Sequence, residues 1–174
     1  MTTLSEMPRI ERIKKRHLLK KRDKKEHLAK IEVDIGSQII GLEEKAQLEA
    51  GVLDDGQRVL LLDGDILFFE QEGRMFPSLH AVLNGLVTIP FVTVDMGAVR
   101  FVVNGADIMR PGITKVDDDV KEDSIVAIVD ERHRKPLAIG VAMLGAEDIL
   151  SASSGKVILS KHHVNDALWN FSKG

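Results

Sequence analysis

The stretch VDMGAVRFVVNGADIMRPGI, residues 94–113, decides the fold of this chain. Asp95 is an N-cap residue type, able to accept from the orphan amides of a helix running through GAVRFVVN. Gly105 marks its end, because only glycine enters the left-handed region without steric cost. At helical spacing Val99, Val102 and Val103 share an apolar face, while Arg100 and Asn104, four apart, share a polar one. Arg110-Pro111-Gly112 follows. Proline presets φ and glycine tolerates positive φ, so a type II turn is predicted, delivering the chain into a strand at ITKV.

Reading outward from this stretch, the downstream half is rich in β-branched runs. SIVAIVD and PLAIGVAML are predicted strands joined by the basic loop ERHRK. GAEDIL is a short helix, KVILSKHHV a strand, and NDALWNF closes the chain. Upstream, IPFVTV is a strand. FPSLHAVLNG is a helix with Leu79, Val82 and Leu83 on one face, closed by Asn84-Gly85. AQLEAGVL, RVLLL and DILFFEQ are three strands whose connections carry Asp55-Gly56 and Asp63-Gly64, strong hairpin signals. Further back, KKRDKKEHLAKIEVDIG places Leu28, Ile31 and Ile35 at helical spacing before Gly36, an amphipathic helix with a Lys/Arg-rich outer face. RIERIKKRHLL reads as a strand or a short helix, and the first eight residues as disordered.

The chain has 174 residues, 44% of them hydrophobic and 29% charged, and aromatics make up only 4%, so Val, Ile, Leu and Met must form its core. It has no Cys, which excludes disulfides and thiolate metal sites. No N-terminal apolar run resembles a signal peptide. The longest weakly polar stretch, Leu137 to Ala146, falls well short of the roughly 20 residues a membrane helix needs. A cytoplasmic protein without membrane association is expected.

Net charge is −3 but unevenly spread. Arg9 to Lys30 holds 11 Lys or Arg against three acids, and the remainder is acidic overall. Such asymmetry points to a polyanion partner, with a solvated helix face as the plain alternative. Lys14, Lys15, Lys20 and Lys21 are the candidate phosphate contacts of this segment.

The segments VDMGAVRFVVNGADIMRPGI, IVAIVD, IGVAML and HHVNDALW resemble the PUA domain, an RNA-binding module. LLLDGDILFFEQEGRMFPSLH is similar to the N-terminal domain of the malignant T-cell amplified sequence translation factors, which pair that domain with a C-terminal PUA domain. The resemblance spans roughly residues 59–169, is most like the archaeal branch, and matches the basic segment only loosely. It implies an α+β fold. A small N-terminal α/β domain, residues 1–90, would precede a PUA-type mixed β pseudo-barrel, residues 91–174.

The resemblance also implies an RNA surface made of Arg100, Asn104, Gly105, Arg110, Pro111 and Gly112, with Lys161 and His162. Glycines let a phosphate approach backbone amides, and arginine pairs with phosphate or a base edge through two hydrogen bonds. Pro111 and Gly112 equally serve a plain turn, and Asn104 a plain helix cap. Residues 93–171 carry nine basic and 12 acidic side chains. RNA attraction therefore requires either that Arg100, Arg110, Lys115 and Lys161 cluster, or that the N-terminal segment supplies it. The six Phe sit in apolar runs, so recognition of duplex or shape is expected over base stacking.

No enzyme motif survives inspection. Gly155-Lys156 lacks the rest of a phosphate loop, because Val157 stands where Ser or Thr is needed. His162-His163, with Asp166 nearby, could suggest a metal site, but no third ligand has convincing spacing. No catalysis, cofactor or metal is expected. The leading reading is an RNA-binding factor linked to translation, acting on the small ribosomal subunit or on tRNA through rRNA or tRNA contacts. The family implies a partner resembling the density-regulated protein. The alternatives are a targeting subunit for an RNA-modifying enzyme and a protein-interaction module.

Overall fold

The computed structural model describes residues 10–171; the segment read as disordered and Arg9 lie outside them. Two sheets organise these residues. The first is an antiparallel meander of β1 (Lys14–Leu18), β2 (Leu48–Val52), β3 (Arg58–Leu62), β4 (Asp65–Gln71) and β5 (Arg74–Pro77), in that order. Its tight turns fall at Asp55-Gly56 and Asp63-Gly64, where Gly56, Asp63 and Gly64 have positive φ. Helix α1 (Lys21–Ile35) packs on β5, burying Ile31 and Ile35. Gly36, at φ 77°, ends it by donating to the Glu32 carbonyl.

The second sheet is mixed, with strand order β7-β11-β10-β9-β6-β8. These are β6 (Phe91–Val94), β7 (Ile108–Met109), β8 (Ile113–Val116), β9 (Ile125–Asp130), β10 (Pro136–Ala142) and β11 (Lys156–His163). Strand β6 runs parallel to β9 and antiparallel to β8. The two outermost strands, β7 and β8, are separated in sequence by only Arg110–Gly112. Three residues span about 10 Å at most, whereas six flat strands extend about 24 Å. The sheet must therefore curl until its edges approach, which makes the pseudo-barrel that the resemblance implies.

The uniformly apolar runs at β9 and β10 now have a physical reason. Both strands are buried on two faces, so neither shows polar alternation. Val126, Ile128, Ala138 and Ala142 fill the barrel interior. Ile125, Ala127, Ile139 and Val141 face the other way and join the core of the first sheet, together with Leu168 and Trp169. Helix α2 (Leu79–Leu83) packs on β4 and β10, α4 (Ala146–Ser151) on β8, and α5 (Ala167–Phe171) on β4 and β11. Within α2, Leu79 is buried but Leu83 is exposed, so the apolar face read from sequence is narrower than expected.

A polar seam joins the halves. The buried His162 accepts the Leu79 amide at Nε2 (3.1 Å) and contacts Asp166 Oδ2 through Nδ1 (2.7 Å). An imidazole that accepts at Nε2 carries its proton on Nδ1, so this ring is neutral and donates to Asp166. Gln71 donates to the Lys161 carbonyl, Arg74 to the carbonyl and carboxylate of Asp123, and His80 stacks on Trp169 at 4.8 Å.

Candidate nucleic-acid interface

Helix α3 (Val99–Val102) is shorter than the sequence predicts. Asp95 Oδ1 accepts the Ala98 amide at 2.9 Å, so residues 95–98 form a capped turn and the helix begins only after it. At the other end Asn104 Nδ2 donates to the Arg100 carbonyl, and Gly105 turns the chain at φ 89°. Gly105 also lies against His163, where an added Cβ would come 2.8 Å from Nε2.

The predicted type II turn is instead a single 3-10 turn, Arg110–Gly112. Gly112 is not among the positive-φ residues. Glycine instead gives room there, because a Cβ would sit a tight 3.0 Å from Ala98 Cβ. That close approach packs the turn against the start of α3 and leaves a groove of about 460 Å³ between them. Phe101, Val102, Ile108, Met109 and Pro111 line it, with Asp95 and Asp107 at its polar margin.

Phe101 overturns the expectation that every Phe is packed in an apolar run. It is 53% exposed, beside Met109 at 49%, and the Arg100 guanidinium lies 4.7 Å from its ring centroid. An aromatic ring and a cation on one lip form a platform on which a nucleobase can stack. The sequence signal is the position of Phe101 off the Val99, Val102 and Val103 face. An apolar side chain there has no core to enter.

The other predicted residues divide. Pro111 and Gly112 line the groove. Arg110 is half-buried, and its guanidinium donates to the carbonyls of Ile113 and Leu150 at 3.1 and 3.4 Å. It ties the turn to α4, and Arg110→Ala should lower stability by about 1–2 kcal/mol through the loss of those bonds, read from a denaturant titration. An exposed, purely RNA-directed arginine would instead leave the midpoint unchanged. Lys161 is half-buried on β11. His162 cannot touch RNA: it is 1% exposed and both ring nitrogens are engaged at the seam.

Asp107 is held at the groove by Lys156 at 2.9 Å and by the Ser160 amide at 2.8 Å. Burial pushes its pKa up, but the Lys156 and Ser160 hydrogen bonds outweigh this and hold it below the usual carboxylate range. Lys115 does not line the groove; it lies on β8 opposite Thr93. Lys14, Lys15, Lys20 and Lys21 are exposed on β1 and at the start of α1, on the half remote in sequence from the groove.

A curled mixed sheet with a helix-and-turn groove beside its edge strands defines a PUA-domain protein. Residues 90–164 match the family model described as the PUA domain, and residues 15–84 match one described as a domain of unknown function (DUF1947). An uncharacterized protein of Methanocaldococcus jannaschii is 35% identical over 159 residues, covering 91% of this chain and 98% of that protein. Translation machinery-associated protein 20 of Saccharomyces cerevisiae is 38% identical over 135 residues, covering 74% and 75%. A crystal structure of a hypothetical protein from Pyrococcus horikoshii superimposes with a TM-score of 0.72 at 29% identity, covering 89% of this chain and 98% of that one. The chain belongs to the family of the translation machinery-associated protein 20 and malignant T-cell-amplified sequence proteins. Among the described residues no helix is long and apolar enough to cross a membrane.

Proposed function

We propose that this chain is an RNA-binding factor of the translation machinery that acts on the small ribosomal subunit or on tRNA. The observation that carries the reading is the groove between α3 and the Arg110–Gly112 turn, with Phe101 exposed on its lip under the Arg100 guanidinium. A solvent-exposed aromatic in a chain with so few aromatics contributes nothing to the core, and stacking gives it a role. The names of the relatives associate them with translation, and the two-part organisation, residues 1–90 and 91–174, divides the work. The basic segment supplies long-range, sequence-independent attraction, and the groove supplies selectivity.

Phe101→Ala tests the groove. Base stacking contributes about 1–3 kcal/mol per base, so binding to the favoured RNA should weaken roughly 5- to 150-fold. Because Phe101 is exposed, the melting temperature should hold. Co-sedimentation with small ribosomal subunits, compared between wild type and variant, reads the same effect in the assembled system. Equal binding by both proteins contradicts the groove assignment.

A further inference from the structure

We infer that the turn joining β9 to β10, residues 131–135, is a second phosphate-binding site that continues the RNA path beyond the groove. The inference rests on the RNA-binding reading above. The turn carries Arg132, Arg134 and Lys135, all exposed, within four residues. Its backbone is fixed from inside by Asp130, which is only 4% exposed. Asp130 accepts the amides of Arg132 (2.9 Å), His133 and Lys135 (3.1 Å). Asp130 thereby fixes the backbone from which the three cations project, so the turn itself needs no ordering when a ligand binds.

Two contacts set its neighbourhood. Arg134 reaches Thr93 Oγ1 at 3.4 Å and lies over the Phe91 ring at 5.6 Å. Lys115, directly opposite Thr93 in the β6–β8 ladder, projects from the same face of the sheet, since opposed residues share a face. Lys115 therefore joins this turn, not the groove. The turn also borders the groove. Glu131 donates its amide to the Val94 carbonyl at 3.0 Å and accepts the Met96 amide at 3.3 Å, and Asp95 between them lines the groove wall. The one acid of the turn, Glu131, accepts the Met96 amide on the groove side, and its single negative charge is outnumbered by Arg132, Arg134 and Lys135.

A polynucleotide with a base in the groove has its neighbouring phosphates close by, and a group of cations on a fixed turn at the rim is where they would be met. This resolves how an acidic half holds RNA: the charges that matter are local, not net.

The double variant Arg132→Gln, Lys135→Gln in the full chain tests this, with unfractionated tRNA and purified small ribosomal subunits as probes. The slope of log affinity against log salt should fall by about 0.7–0.9 for each phosphate no longer neutralised, roughly 1.5 in all. Arg132→Lys with Lys135→Arg, which keeps both charges, should retain the wild-type slope. Lys121→Gln, an exposed lysine in the acidic loop, should also leave it unchanged. If the wild-type chain binds and the Gln variant keeps its slope, the turn is not a phosphate site and the RNA-binding reading stands. If the charge-keeping variant loses the slope as well, the effect is structural and the inference fails. If the wild-type chain binds neither probe, the RNA-binding reading falls and takes this one with it.

Discussion

Changing Lys14, Lys15, Lys20 and Lys21 together to Gln is expected to flatten the salt dependence of RNA binding while leaving preference among RNAs intact. The four are exposed on β1 and at the start of α1. Each phosphate left without its lysine lowers the slope by about 0.7–0.9, so the fourfold change removes roughly three units of slope and orders of magnitude in affinity at low salt. The geometry dictates which cations to choose. Arg16 is held in a two-pronged pair with Glu49, and Lys24 donates to the carbonyls of Glu44 and Ala46, so changing either would confound folding with binding. Lys14 has only a loose, half-exposed pairing with Asp54 at 3.6 Å. Titrations at several salt concentrations on two different RNAs read slope and preference at once. A wild-type slope in the variant would make this segment a solvated surface and refute the division of labour.

The second large effect is on stability. His162→Ala should destabilise the protein by about 3 kcal/mol, because it strands the buried Leu79 amide and opens a space beside Phe69. The loss should appear as a lowered denaturant midpoint, with the groove residues untouched. Acid reaches the same seam through Asp166. Burial raises the pKa of that carboxyl, but the hydrogen bond from His162 and the amides of Trp169 and His163 bring it below the usual carboxylate range. A folded-state pKa depressed below the unfolded value contributes stability that is fully present above the unfolded value. That contribution is lost as pH falls through the folded one. Asp166→Asn should therefore lower the midpoint at neutral pH and flatten its decline in acid. A midpoint that falls in acid equally in both proteins would deny Asp166 that role.

Local signals in the sequence are enough for most elements. The Asp-Gly turns announce the meander, Gly36 ends α1, and the β-branched runs mark β9 and β10. What local signals do not carry is any feature decided by contact between distant residues. Strand β5 is hidden because Phe76 and Pro77 read as the approach to a helix; the strand ends there because Ser78 caps α2, its Oγ accepting the Ala81 amide. Pro77 is tolerated because β5 is an edge strand. Pro-Gly usually implies a positive φ at the glycine, whereas in the Arg110-Pro111-Gly112 turn the glycine clears Ala98 instead. His162 reads as a surface histidine because its partner Leu79 lies 83 residues away. The same blindness hides the groove: Arg100, Pro111 and Gly112 are legible from the resemblance, but nothing local in the sequence brings Phe101 and Met109 together.

Whether RNA lies against the α3 groove is read by ultraviolet crosslinking of the full chain to RNA in cells, followed by mapping of crosslinked peptides. Adducts should concentrate on the peptides containing Phe101 and Met109, accompanied by rRNA of the small subunit or tRNA when the attached RNA is sequenced. Adducts confined to other surfaces, with the 94–113 stretch unmodified, would contradict that placement.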